Sequence, residues 1–181
     1  YASPSDRDGR NRRKNMRDVD TDIATFDDYA YGVDLNRNHN HGWGNSSNNP
    51  ASTNYHGESP GSEPESQATY AAEGLINGGQ LRFFVDVHSY TPIFYVSKYN
   101  SSQLNSAVMN CYSVMSDAVR GVSGLSFPSR DVDIDGTGTG DTPIGATDEY
   151  FASKYRCMSY TYEARPPQRQ YWNGFVLRSE E

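Results

Sequence analysis

One short apolar run of the sequence ends abruptly in polar side chains. The run is Phe83-Phe84-Val85-Asp86-Val87-His88-Ser89-Tyr90. Consecutive apolar positions predict a strand that is covered on both faces, as in the middle of a sheet flanked by helices. Ligands of open α/β sheets bind beyond the carboxyl ends of such strands. The pattern therefore predicts that His88 is delivered to a metal or substrate, with a histidine satisfied by core contacts as the plainer alternative.

The other periodic segments alternate between helix and strand patterns. Ser62-Glu63-Pro64-Glu65 predicts a capping box at the start of a helix that runs to about Asn77. The later segments are a strand at Ile93 to Val96, an amphipathic helix from Ser102 to Arg120, a short helix from Thr147, and a strand from Cys157 to Glu163. This order is typical of an α/β fold, and the length predicts one domain over residues 1–181.

Nearer the start of the chain, a second short strand pattern is interrupted by a run of polar residues. Gly32-Val33-Asp34-Leu35 predicts a strand that runs into Asn36-Arg37-Asn38, which makes these polar residues candidates for a site. Residues 39–61 show neither a helical nor a strand periodicity, which predicts a loop. His39, His41 and His56 lie in this loop, but none has the one-turn spacing of helical zinc ligands, which argues against a metal role.

Composition narrows the class of protein. The net charge of −7 argues against nucleic-acid binding, since such surfaces concentrate Lys and Arg. No apolar run reaches the ~18 residues that a membrane-spanning helix needs. Abundant Tyr, Ser and Asn, with glycosylation sequons at Asn45 and Asn100, favour an extracellular protein. Cys111 and Cys157 permit one disulfide without requiring it.

One basic cluster interrupts this acidic composition. It consists of Arg10, Arg12, Arg13, Lys14 and Arg17, in a polar stretch without periodicity. A solvated basic loop is the simpler interpretation. Guanidinium groups near a cleft are also what a carboxylate-bearing substrate requires, because their planar fork binds a carboxylate through two hydrogen bonds. The residues alone leave both interpretations open.

An acidic segment late in the chain has the beginning of a calcium-binding loop. Asp131, Asp133 and Asp135 alternate before Gly136, as in the first half of such a loop. The glutamate expected at the twelfth loop position is absent, since Thr142 stands there. The segment predicts an acidic, glycine-rich flap, with a Ca²⁺ site at the three aspartates as the alternative.

Several segments, taken in order, resemble the zinc metallocarboxypeptidases of the pancreatic carboxypeptidase A and B type. They are Gly32 to Asn38, Gly57 to Glu65, Asp86 to Tyr90, Gly145 to Tyr150 and Tyr160 to Glu163. The similarity covers nearly all of the chain from Arg10 to about Leu177. It implies a mixed, mostly parallel sheet flanked by helices, and a peptide hydrolase that depends on one Zn²⁺.

The resemblance implies roles for individual residues. His88 corresponds to the third zinc ligand of the family. Glu163 corresponds to the general base, which takes a proton from the attacking water and later passes it to the leaving amine. Arg13 matches the arginine that stabilises the developing oxyanion. Asn36 and Arg37 match the pair that holds the terminal carboxylate of the substrate.

The resemblance also implies substrate contacts beyond the reacting bond. Arg10 corresponds to an outlying substrate contact. Asp148 falls at the position that lines the pocket for the departing side chain. An acid there implies a preference for Lys or Arg through ion pairing, as in the B-type enzymes.

The chain departs from the family pattern in its zinc ligands and in its flap. The first two family ligands come from a His-x-x-Glu motif, and this chain contains none. Since a catalytic zinc has three protein ligands plus water, the resemblance predicts a partial domain that is inactive by itself. Asp141 stands where the family has a mobile tyrosine.

The sequence thus predicts a secreted, monomeric zinc metallocarboxypeptidase that acts on the C-termini of peptides and proteins and prefers basic C-terminal residues. Neither nucleic acid nor a membrane span is expected. The alternative is a non-catalytic module that binds peptide C-termini through Asn36 and Arg37.

Overall fold

The computed structural model describes residues 13–15, 17, 32–76, 79–89 and 91–164. The chain divides into two compact units, one formed by Tyr1–Gln80 and Pro143–Tyr150, the other by Leu81–Thr142 and Phe151–Glu181. The first unit contains helix α1 (Pro64–Ala72) and the second contains helix α2 (Ser102–Ser123) and a sheet. Helix α3 (Thr147–Tyr155) contributes residues to both.

The sheet of the second unit is mixed and mostly parallel. Its strands are β1 (Phe83–His88), β2 (Ile93–Lys98), β3 (Ser129–Asp133) and β4 (Met158–Glu163), in the order β1-β4-β2-β3. β4 runs parallel to β1 and antiparallel to β2, and β2 runs parallel to β3. The predicted α/β class is therefore confirmed, and β1, β2 and β4 lie where the apolar patterns predict them.

Strand β1 is less covered than its composition predicts. It stands at one edge of the described sheet, and Phe83 and Val87 are 42% and 65% exposed. The predicted coverage of both faces is wrong for the described residues. Phe83 and Val87 lie on the same face of β1 and are both exposed, so that face is not fully covered by the described residues.

Helix α2 packs its apolar stripe against this sheet. Ser101 Oγ accepts the N–H of Leu104 at 3.3 Å at its start, and Gly124 ends it in the left-handed region with φ of 69°. The helix runs past Arg120, its predicted last residue. The core it covers comprises Phe94, Val96, Tyr99, Val108, Phe127, Val132, Ile134, Ala152 and Tyr160.

Helix α1 begins differently from the prediction. Its N-cap residue is Glu63, with no side-chain capping bond, and the hydroxyl of Ser62 instead donates to Glu63 Oε1 at 2.7 Å. The predicted capping box of Ser62 and Glu65 is therefore wrong, because the buried Glu63 carboxylate takes the serine hydroxyl. α1 also ends at Ala72, where a 3-10 turn follows, and does not continue to Asn77.

The predicted strand at Gly32 to Leu35 is absent from the described sheet. A 3-10 turn at Leu35–Arg37 stands at its end, and the Asp34 side chain accepts the N–H of Asn36 at 3.2 Å. A capping carboxylate directly before the turn favours helical geometry over an extended pairing.

The segment predicted as an acidic flap begins as a strand, since Asp131 and Asp133 belong to β3, and each of its three carboxylates has its own partner. The partners are Lys98 for Asp131 at 3.3 Å, the N–H of Thr137 for Asp133 at 2.8 Å, and Arg156 for Asp135 at 2.8 Å. No group of three or more His, Cys, Asp or Glu that could hold a metal occurs in the described part of the chain. The Ca²⁺ alternative at Asp131, Asp133 and Asp135 is therefore not supported.

Two general features bear on the environment of the chain. Cys111 and Cys157 are both free thiols, so the optional disulfide is not formed. Burial raises the pKa of the Cys157 thiol to about 11, which keeps it protonated. None of the helices in the described ranges combines the length and the apolar character that crossing a bilayer requires.

Candidate active site

His88 and Glu163 lie side by side at one end of the sheet. They are the last residues of β1 and β4, and they are Cα partners in the parallel pairing. The N–H of Ala164 donates to the carbonyl of His88 at 2.7 Å, so the pairing continues to the strand ends. Neighbouring strands are ~4.8 Å apart. The residues that carry the imidazole and the carboxylate, His88 and Glu163, therefore stand next to each other at the carboxyl ends of two adjacent strands.

Asp86 supports the imidazole of His88. The two residues are two apart on β1 and so share one face, and Asp86 Oδ2 lies 3.0 Å from His88 Nε2. A carboxylate on one ring nitrogen is the usual support of a metal-binding histidine, whose other nitrogen faces the metal. His88 therefore fits one position of a zinc site, through Nδ1. A full set of ligands is not assembled within the described ranges.

In the first unit, one buried carboxylate organises two of the predicted site arginines. Asp34 is 2% exposed and accepts the Nε–H of Arg13 at 2.8 Å. The same oxygen, Asp34 Oδ2, lies 4.0 Å from Arg37 Nε. Two guanidinium groups thus share one carboxylate, and the three side chains together keep a net positive charge. Asp34 was not among the predicted site residues, although it lies two positions before the polar residues Asn36 to Asn38.

Arg37 is a largely desolvated cation. Burial lowers its pKa, the carboxylate of Asp34 opposes this effect, and the positive charge of Arg13 adds to it. The guanidinium nevertheless stays protonated in a protein. A charged fork that has lost much of its hydration makes strong, geometrically specific hydrogen bonds to a carboxylate.

Asn36 is connected to the start of α3. Its Oδ1 accepts the backbone N–H of Thr147 at 2.8 Å and the Thr147 hydroxyl at 3.1 Å. Gly145, with φ of 85°, permits this approach, since a Cβ there would lie 2.5 Å from the carbonyl oxygen of Arg37. Sequence reasoning did not identify Thr147 as a site residue, because 111 positions separate it from Asn36.

Two acids of α3 lie in the interior. Asp148 and Glu149 are each 4% exposed. Glu149 Oε2 accepts the N–H groups of Ile144 and Ala146, both at 2.8 Å. Burial and the neighbouring charge of Asp148 raise the pKa of Glu149 to about 7. Asp148, the predicted pocket residue, thus belongs to a buried acidic pair.

The basic cluster divides between structural and candidate roles. Arg17 pairs with the fully buried Glu63 at 2.7 Å and with Glu58 at 3.0 Å, so it stabilises the start of α1. Arg13 joins Asp34 as described above. Arg10, the predicted outlying substrate contact, lies outside the described residues.

Asp141, at the predicted place of the flap tyrosine, is tied to β3. Its carboxylate accepts from Arg130 Nη2 at 3.1 Å, and its backbone bonds to Asp131 and Asp133 at 2.9 Å each. These main-chain hydrogen bonds join Asp141 to β3.

Known proteins share both the sequence pattern and the fold. The sequence profile of the zinc carboxypeptidase family matches residues 1–181. A metallocarboxypeptidase A-like protein of Trichophyton verrucosum is 39% identical over 105 residues, which are 54% of this chain and 25% of that protein. Carboxypeptidase A5 of Macaca fascicularis is 36% identical over 93 residues, 50% of this chain and 21% of that protein. The matched region thus spans about a quarter of these relatives or less.

Solved structures agree with these sequence matches. The carboxypeptidase A of Helicoverpa armigera superposes with a TM-score of 0.65 at 26% identity, covering 81% of this chain and 36% of that chain. Bovine thrombin-activatable fibrinolysis inhibitor, in complex with tick carboxypeptidase inhibitor, gives a TM-score of 0.67 at 22% identity over 91% of this chain and 53% of that one. The second likeness concerns the fold alone. With the profile match over its whole length, the chain belongs to the zinc carboxypeptidase family.

Proposed function

We propose that the whole protein containing this chain is a zinc-dependent metallocarboxypeptidase, which hydrolyses the C-terminal peptide bond of peptides and proteins. The observation that carries the proposal is the pairing of His88 with Glu163 at adjacent strand ends. The family membership and the cluster of Arg13, Asn36 and Arg37 support it. Both compact units then belong to one catalytic domain, of which residues 1–181 form a part.

The residues of this chain divide the chemistry among them. When bound, Zn²⁺ would act as a Lewis acid and lower the pKa of its bound water to roughly 7. His88 is one of its ligands, and two further ligands are required from the whole protein. Glu163 takes the proton of the attacking water and passes it to the leaving amine. Arg13 stabilises the negative charge that develops on the carbonyl oxygen.

Substrate recognition begins at the terminal carboxylate. The desolvated guanidinium of Arg37 binds this carboxylate, and the amide of Asn36 donates a further hydrogen bond to it. Arg10 contacts the substrate farther from the scissile bond. Asp148 pairs with a basic side chain of the departing residue, which gives a preference for Lys or Arg.

The proposed cofactor is one Zn²⁺. Ca²⁺ is not part of the proposal, because each aspartate of the flap already has a partner. The partners are peptide or protein C-termini, and we expect the whole protein to act outside the cell as a monomer.

A second candidate function is a non-catalytic module that binds peptide C-termini. The carboxylate-binding pair of Asn36 and Arg37 favours it as strongly as it favours an enzyme. A whole protein that binds peptide acids, discriminates against peptide amides and cleaves neither would select this candidate.

The decisive experiment is peptide hydrolysis by the whole protein with and without a chelator. Chelation should abolish release of the C-terminal residue, and Glu163→Gln should lower turnover by roughly 10²- to 10⁴-fold, the range of a lost general base. Glu65→Gln, on the exposed side of α1, is the matched control and should turn over normally. Turnover that survives Glu163→Gln would remove the assigned base.

A further inference from the structure

Two donors of Thr147 favour one orientation of the Asn36 amide. Asn36 Oδ1 accepts the backbone N–H of Thr147 at 2.8 Å. A flipped amide would bring its own NH₂ group against this N–H, and two donors cannot bond to each other. The backbone N–H of Thr147 therefore favours the orientation in which the oxygen of Asn36 points toward α3 and the NH₂ group points away from it. The hydroxyl of Thr147 is a second donor to the same oxygen and stabilises this orientation further.

His39 extends this arrangement by one further hydrogen bond. Its Nε2 lies 3.1 Å from Thr147 Oγ1, which itself lies 3.1 Å from Asn36 Oδ1. The hydroxyl carries one hydrogen. If that hydrogen went to His39, two oxygens would face each other without a proton between them. The hydrogen therefore goes to Asn36, and His39 donates from Nε2 to the hydroxyl.

The imidazole that begins this series is held firmly. His39 is 3% exposed, stacks on Tyr150 with ring centroids 5.5 Å apart, and meets the edge of Tyr70 at the same distance. Its backbone N–H donates to the carbonyl of Gly145 at 3.0 Å. The donors run in one direction, from His39 through Thr147 to Asn36, and hydrogen bonds aligned in this way strengthen one another.

We propose that His39 and Thr147 are positioning residues that hold the Asn36 amide as a hydrogen-bond donor, and thereby make the site select a free C-terminal carboxylate over a C-terminal amide. A carboxylate only accepts hydrogen bonds, so it requires the NH₂ face of Asn36. A peptide amide can also donate, so it tolerates the opposite face. This inference rests on the proposed role of Asn36 in binding the terminal carboxylate.

The test compares the dissociation constants of one dansylated tripeptide as free acid and as C-terminal amide, in the whole protein. The Glu163→Gln background prevents consumption of the acid. Thr147→Val removes the hydroxyl at nearly constant volume, and Thr147→Ser restores it. His39→Phe keeps the ring contacts with Tyr70 and Tyr150 and removes the N–H.

We expect the unsubstituted site to prefer the acid and Thr147→Ser to keep that preference. Thr147→Val and His39→Phe should reduce the acid-to-amide preference by ~3- to 10-fold, the effect of about one hydrogen bond. The loss should fall on the acid, while affinity for the amide stays level or rises. If Thr147 and His39 had only a structural role, the substitutions would weaken binding of the acid and of the amide alike.

Several outcomes would overturn the inference, and they separate it from the proposed function. An acid preference lost in Asn36→Ala but retained in Thr147→Val and His39→Phe would overturn the positioning role alone. Parallel loss of acid and amide binding would do the same. Equal binding of acid and amide before any substitution at these positions would overturn both proposals.

Discussion

Glu149 is the buried acid whose protonation changes near neutral pH. Burial raises its pKa to about 7, with Asp148 adding to the shift, while the Ile144 and Ala146 N–H groups and the charge of Arg37 act against it. The ordinary glutamate pKa of 4.5 applies in the unfolded chain. Between these values the folded state binds more protons than the unfolded state, so this group's contribution to stability is lost as pH rises toward 7.

The corresponding prediction concerns Glu149→Gln, which keeps an acceptor for the two N–H groups but cannot ionise. As pH is raised from about 5 to about 8, the free energy of unfolding of the unsubstituted protein should fall relative to the variant, by up to ~3 kcal/mol. Urea denaturation at several pH values measures this difference. Glu65→Gln is the exposed control. If the unsubstituted protein and Glu149→Gln changed in parallel with pH, Glu149 would not be the titrating group.

At this scale, sequence predicted residues that follow apolar runs and missed those that act across the chain. Arg37 follows a short apolar segment and Glu163 ends an alternating one, so their positions in the pattern make them candidates for a site. The roles proposed for Thr147 and His39 depend on contacts between positions more than a hundred residues apart. Nothing in their immediate sequence records such a contact.

Two glycines near the end of helix α2 have opposite structural demands. Gly121 lies within the helix, and Gly124 follows it with φ of 69°. At both positions the space that an alanine Cβ would occupy has no obstructing atom within 4 Å, so backbone conformation alone decides the effect. Gly121→Ala should stabilise the protein by about 0.5–1 kcal/mol. Gly124→Ala should destabilise it by about 1–2 kcal/mol, the cost of the left-handed region.

Thermal or urea unfolding of the two variants checks this prediction, and each serves as the control for the other. Equal changes in stability of the same sign in both variants would show that hydrophobicity or an altered unfolded state determines the effect. The backbone conformation at the end of the helix would then not be its cause.

At the scale of elements, the sequence predicted β1, β2 and β4, but it missed β3 and predicted a strand at Gly32 to Leu35 that is absent from the described sheet. The apolar run gave β1 its bounds, yet it could not show that β1 would stand at the edge of the described sheet. A hydrophobic pattern reports which faces gain from burial, and not which segment covers them. The capping box failed for a similar reason, since Arg17 engages Glu63 from 46 positions away.

For the whole molecule, substrate preference is the property that Asp148 is proposed to set. Asp148→Asn should lower kcat/KM for peptides ending in Arg by about tenfold or more, the cost of losing one partner of a buried charge pair. Peptides ending in Leu should be cleaved at nearly unchanged rates. Asp141→Asn, in the flap, is the control. Equal losses on both substrates would assign Asp148 a structural role in the buried acidic pair with Glu149.

The family was predictable because several short motifs occur in a fixed order along most of the chain, although each motif alone is weak. The division into two compact units was not predicted, since it depends on the density of contacts between distant segments, including the return of Pro143–Tyr150 to the first unit.

The strand order β1-β4-β2-β3 has a consequence for synthesis on the ribosome. β1 and β2 are joined by residues 89–92, yet β4 lies between them in the sheet and is the last of the four described strands to be made. Until residue 163 has emerged, one edge each of β1 and β2 lacks its final partner. Open edges of this kind attract other chains. We therefore expect the nascent chain to be prone to aggregation in the interval between translation of β2 and of β4.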